Sequence, residues 1–92
     1  MTYEIRLYRE AIKALDRMDR KTEERIRRLL RELADNPTAP RLSKPLKGME
    51  GLRSSRVGEW RILYVVDELN MAVAVLAVRP RGQVTGDYRI AV

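Results

Sequence analysis

Leu52-Arg53-Ser54-Ser55-Arg56-Val57-Gly58-Glu59-Trp60-Arg61-Ile62-Leu63-Tyr64-Val65-Val66 decides how this chain folds. Leu52 to Val57 is a polar, alternating run, and Trp60 to Val66 is β-branched and aromatic. Gly58-Glu59 between them suits a two-residue type II′ turn, with glycine in the first central position. Such a turn pairs Val57 with Trp60 and Arg56 with Arg61. Side chains alternate along a strand, so Arg56 and Arg61 emerge together on one face. Trp60, Ile62, Tyr64 and Val66 emerge on the other, where a helical layer can cover them. Two like charges directly opposite in a sheet are destabilising, and an anion bound between them reverses that sign. The competing reading is a pair of solvated arginines, or arginines neutralised by Glu50 or Glu59.

Downstream, Asp67 to Asn70 makes a second turn. Met71 to Arg79 is almost continuously apolar, as an interior strand covered on both faces should be. Upstream, residues 36–51 carry Pro37, Pro40, Pro45, Gly48 and Gly51 and read as an ordered connection. Before it, Ile26, Leu29, Leu30 and Leu33 form a helical stripe, with Asp19 as a plausible cap and Pro37 ending the helix near Asn36. Glu23–Arg27 and Glu24–Arg28 are i,i+4 pairs in the favourable order. An earlier helix carries Ala11, Ile12, Leu15 and Met18 on one side and has no good N-cap residue. Tyr3, Ile5 and Leu7 alternate with Glu4, Arg6 and Tyr8 as a short opening strand. The order β-α-α-β-β-β gives a two-layer α+β domain over residues 1–92, an antiparallel helical hairpin on one face of a mainly antiparallel sheet. The other face is then available for function.

The chain has 92 residues, enough for one domain. It has 19 Lys+Arg against 13 Asp+Glu, a net charge of +6; 15 of the cations are Arg and 4 are Lys. There is no His and no Cys. A disulfide framework, a thiol nucleophile, a Cys/His metal site and histidine acid–base chemistry are excluded. The charge is uneven. Arg41 to Arg61 holds six cations and two acids, a balance of +4, whereas residues 1–40 hold ten cations and eight acids. The helical charges therefore read as a solvated, locally paired face, and the loop and hairpin as the place where guanidinium forks cluster for phosphate. Lys44, Lys47, Arg53 and Arg79 are the cations around them. Charge alone does not choose among RNA, DNA, an acidic protein and anionic lipid, and they are the expected RNA contacts only on the resemblance given below. Tyr88, in the tail, is a candidate for stacking on a base or for packing on the sheet. The longest apolar run, Met71 to Val78, has 8 residues, against roughly 18 or more for a spanning helix. The start of the chain lacks an apolar targeting region, so a cytoplasmic protein is expected.

These residues resemble the RelE/ParE superfamily of type II toxin–antitoxin toxins, its RelE-like members in particular, over nearly the whole chain. The resemblance rests on the order and spacing of several pieces. They are Thr2-Tyr3-Glu4-Ile5, Ala11-Ile12-Lys13-Ala14-Leu15, Leu46-Lys47-Gly48, Arg56-Val57-Gly58-Glu59-Trp60-Arg61-Ile62-Leu63-Tyr64 and Pro80-Arg81-Gly82. It implies a ribosome-dependent mRNA endonuclease in which the RNA 2′-hydroxyl attacks the adjacent phosphate, without metal or small-molecule cofactor. Its implied partners are the ribosome, mRNA and a RelB-like antitoxin, with no membrane. By the same resemblance Arg61 holds the scissile phosphate, Arg81 stabilises the phosphorane, and Arg56 occupies a Lys/Arg position. The family's preceding basic position aligns with Ser54, and its C-terminal catalytic tyrosine with Thr85; Tyr88, three residues later, is the candidate to take that tyrosine's place. Arginine is a good electrostatic stabiliser but a poor general base, and Lys47 is the nearby amine. A ParE-like toxin that inhibits DNA gyrase without cleaving RNA is the alternative, together with a catalytically weak RNA- or ribosome-binding relative.

Overall fold

The computed structural model describes residues 2–81. The chain runs through β1 (Glu4–Leu7), α1 (Arg9–Arg17), α2 (Arg20–Asp35), β2 (Ser43–Pro45), β3 (Leu52–Val57), β4 (Trp60–Asp67) and β5 (Ala72–Pro80). The five strands form one sheet in the order β1-β5-β4-β3-β2. β1 lies parallel to β5, and every other pair is antiparallel.

Each helix has a local cause. The Asp19 carboxylate accepts the Thr22 N–H at 3.0 Å and the Thr22 hydroxyl at 2.7 Å, which starts α2. These two hydrogen bonds to the charged form hold the Asp19 carboxyl below its ordinary pKa. The helix stops at Asn36, before Pro37. α1 follows Tyr8, which gives no side-chain cap. It buries Ala11 and Leu15; Ile12, expected on that side, is 45 % exposed. Met18 packs against the core as expected, and the partly buried Ala14 takes the place expected for Ile12. α1 lies over β5, while α2 reaches β1, β5 and β3.

The main core lies between the helices and the sheet. Leu15, Ile26, Leu29, Leu30 and Leu33 pack against Ile62, Tyr64, Val73, Val75 and Val78, with Val57, Trp60 and Val66 at the margin. Trp60, Ile62, Tyr64 and Val66 thus take the helix side, as the alternation requires. β5 needs a device to do the same. Leu63 pairs with Ala77 but Tyr64 pairs with Val75, so Leu76 is an extra residue opposite that step. This bulge changes the parity of β5. Val73 and Val75 before it, and Val78 after it, all reach the helix side.

Two expectations change. The connection at residues 36–51 contains a strand, β2, whose Ser43, Lys44 and Pro45 pair with Ser55, Ser54 and Arg53. Three residues give no periodic signal, and Pro45 is tolerated because β2 is an edge strand. The second face of the sheet is also not bare. Leu46 and Met49, from the loop after β2, cover a small cluster of Leu52, Leu63 and Ala77.

Candidate nucleic-acid interface

The β3–β4 turn positions the arginines. Gly58 has φ +55°, and Glu59 is not in the positive-φ region, as a type II′ turn requires. Arg56 pairs with Arg61 and Val57 with Trp60. β5 then extends the level by one strand, because Arg61 pairs with Arg79. Three arginines on three adjacent strands share one register level, at roughly 5 Å between neighbouring strands. Arg81 joins through its backbone, whose N–H donates to the Glu59 carbonyl at 2.7 Å. That bond ties the exit of β5 to the hairpin tip, and Arg81 is exposed there.

The members of the row differ in what holds them. Arg56 Nε donates to the Gly58 carbonyl at 3.3 Å. The Arg61 Nε is buried and has no hydrogen-bond partner among the described residues. Arg79 grips Glu10 of α1 with two hydrogen bonds, Nε to Oε2 at 2.8 Å and Nη2 to Oε1 at 2.9 Å. The guanidinium holds the Glu10 carboxyl below its ordinary pKa, against a smaller opposing effect of desolvation. Among the described residues, neither Glu50 nor Glu59 forms an ion pair with Arg56 or Arg61.

The other candidates separate. Lys44 lies opposite Ser54 in the register, on the side of Arg56 and Arg61, and is exposed. Lys47 is exposed in the loop after β2. Arg53 does not join them. It pairs with Tyr64, so it lies toward the helix side. There its Nε donates to Ser43 Oγ at 3.0 Å, Ser43 bonds the Tyr64 hydroxyl, and that hydroxyl donates to the Pro37 carbonyl. Arg53 serves a buried polar chain rather than the arginine row. Ser54 points to the row side, and its buried hydroxyl has no partner. Tyr88 and Thr85 lie outside the described residues. Among the described residues no group of Asp and Glu side chains could hold a metal ion, and no helix is long and apolar enough to cross a membrane.

The sequence reading missed two helical arginines. Arg25 and Arg28 of α2 line a recess of about 280 Å³ with Arg56 and Gly58. Glu23–Arg27 forms as expected, at 2.8 Å. Glu24–Arg28 does not form, so Arg28 is left to face the recess. No sequence signal distinguishes those two pairs, because both have the same spacing.

No curated protein matches the sequence. A family model for the ParE toxin of the type II toxin–antitoxin system parDE matches residues 5–85. The fold is similar to that in the RelBE2 toxin–antitoxin complex from Mycobacterium tuberculosis, with TM-score 0.75 and 27 % identity, over 88 % of this chain and 100 % of that one. It is also similar to the archaeal RelE–RelB complex from Pyrococcus horikoshii OT3, with TM-score 0.77 and 24 % identity, over 90 % and 99 %. The YoeB dimer from Staphylococcus aureus gives TM-score 0.71 and 21 % identity, over 86 % and 97 %. The family model spans most of the chain, including the whole arginine row and the strands that carry it. The chain belongs to the ParE toxin family of the RelE/ParE superfamily, and is a toxin of a type II toxin–antitoxin system.

Proposed function

We propose that this toxin is a ribosome-dependent mRNA endonuclease acting in the cytoplasm, silenced by a RelB-like antitoxin that covers the arginine row. The observation that carries the reading is the register of the hairpin. Among the described residues Arg56 and Arg61 stand side by side without an acidic partner, and Arg81 is tethered to the same turn.

A phosphate seated between Arg56 and Arg61 meets two guanidinium forks. The RNA 2′-oxygen attacks the adjacent phosphorus, the bond from phosphorus to the 5′-oxygen breaks, and a 2′,3′-cyclic phosphate and a 5′-hydroxyl result. The developing negative charge on the phosphorane oxygens meets Arg56, Arg61 and Arg81. Removing one such donor typically costs about 10²- to 10³-fold in rate. Arginine stays protonated at physiological pH. The proton of the 2′-hydroxyl therefore leaves to water or a ribosomal group, and the 5′-oxygen takes one up. Charge stabilisation is this chain's share of the work.

The match to the ParE family model favours a second reading, in which the toxin binds DNA gyrase and cleaves nothing. Ser54, standing where the RelE-like pattern has a basic residue, points the same way. Mapping mRNA ends in cells expressing the wild type or Arg81→Ala separates the two. Codon-phased cuts in translated messages, lost in Arg81→Ala, support the endonuclease. Growth arrest with intact messages and relaxed or broken DNA overturns it in favour of gyrase.

A further inference from the structure

We propose that Arg25 and Arg28 of α2, together with Arg56, form a second phosphate station at the edge of the β3–β4 hairpin. It takes a backbone phosphate of the RNA strand flanking the scissile one. The inference rests on the RNA reading of the arginine row and extends it around the hairpin.

Arg25 and Arg28 are three residues apart and so are neighbours on the helix surface. Leu29, beside them, is buried toward the sheet, which sets the two arginines over the hairpin tip. The turn makes room for one of them. Gly58 has no side chain, and the atoms nearest to where a Cβ would stand are Arg25 Nη1 at 3.7 Å and Nη2 at 3.9 Å. The Arg25 guanidinium therefore lies within van der Waals reach of the turn, while the residue stays exposed. Arg56 closes the third side of the same recess.

Three arginines line this recess, and among the described residues its wall carries one acid. Among the described residues, neither Arg25 nor Arg28 has a carboxylate within 4.0 Å. The one acid on the wall, Glu32, is engaged by Arg41 at 3.4 Å. Like charges brought together in this way repel, and a bound anion reverses the sign. The recess presents forks that match phosphate. It has neither a free sheet edge nor an apolar pocket, the features by which an extended peptide or helix is gripped. That favours a nucleic-acid backbone over an acidic protein segment. Arg56 also lines a shallower recess beside Lys44 and Ser54 on the other side of β3, so one residue joins the two stations into a track.

Fluorescence anisotropy with a uridine dinucleotide and an oligouridylate of about twelve nucleotides tests this, since single-strand sites commonly span several nucleotides. In the purified full chain, Arg25→Ala/Arg28→Ala should leave dinucleotide binding unchanged. On the long oligomer it should reduce the slope of log affinity against log salt by about 0.7, the value for one phosphate no longer neutralised on a single strand. A fourfold rise in salt then costs the variant about 2.6-fold less affinity than it costs the wild type. Arg25→Lys/Arg28→Lys, which keeps the charge, should retain the wild-type slope. Arg56→Ala/Arg61→Ala/Arg81→Ala should lose both oligomers. Long-oligomer binding unchanged in Arg25→Ala/Arg28→Ala overturns the station and leaves the row intact. If that variant instead loses affinity only for the antitoxin, the recess is a protein contact and the RNA assignment fails. Retention of dinucleotide binding by the triple variant overturns the reading of the row, and the station with it.

Discussion

Along β4, successive side chains belong to two different faces. Trp60, Ile62, Tyr64 and Val66 meet the helices, while Arg61, Leu63 and Val65 meet the loop after β2 or solvent. On the helix side nearly everything is satisfied. Ile62 and Tyr64 are 0 % exposed, and the Tyr64 hydroxyl ends a hydrogen-bond chain from Arg53 through Ser43 to Pro37. On the other side Arg56 and Arg61 stand side by side, and among the described residues the Arg61 Nε lacks a partner and so does the Ser54 hydroxyl. One strand thus carries a face that stabilises the fold and a face that costs stability. Clustered like charges and unmet donors persist where binding uses them.

Substitutions on one face should leave the other face's property intact, and the effects can be ranked. The largest is expected on the row. Arg56→Ala/Arg61→Ala should reduce mRNA cleavage by about 10²-fold or more, measured as cut frequency in ribosome-bound messages. Next is Ile62→Ala. Emptying a fully buried aliphatic site should cost about 2–5 kcal/mol in denaturant unfolding. It should reduce toxicity only through the fraction of chain that is folded. Tyr64→Phe is smaller, about 1–3 kcal/mol, because it leaves the Pro37 carbonyl and Ser43 without the hydroxyl. A loss near zero would mean that water replaces the hydroxyl.

The smallest effect is on pH dependence. Asp19, Asp67 and Glu10 all have carboxyls held below their ordinary values, by Thr22, Asn70 and Arg79 respectively. A depressed folded-state pKa gives stability that is fully present above the unfolded value. It is lost as pH falls through the folded one. Melting temperature should therefore be flat with respect to these groups from neutral pH to about 5 and fall below about 4. In Asp19→Asn the acid decline should be shallower.

The face assignment was legible because the hairpin gives three independent signals. Gly58 fixes the turn, the turn fixes the register, and alternation fixes the faces. Arg56 and Arg61 follow from nothing more. Arg79 does not, because its side depends on the bulge at Leu76. The run from Met71 to Val78 is apolar throughout, so it holds no parity to break. Arg53 is the reverse case. Alternation sets it opposite Arg56, and the structure gives it Ser43 as a partner, although its charge made it look like part of the basic cluster. β2 is too short for a period. Arg25 and Arg28 were hidden because a helix rich in both charges looks locally neutral until the turn at Gly58 is brought against it.

The sharpest test of the two-face account uses consecutive residues. Arg61→Ala and Ile62→Ala are prepared side by side, and each is assayed for melting temperature and for toxicity at matched levels of folded protein. The account predicts that Arg61→Ala melts within a few degrees of the wild type, a change of under about 1 kcal/mol, and is not toxic. It predicts that Ile62→Ala melts far lower and, per folded molecule, keeps its toxicity. An Arg61→Ala protein that remains fully toxic, or an Ile62→Ala protein that loses toxicity while folded, would contradict it.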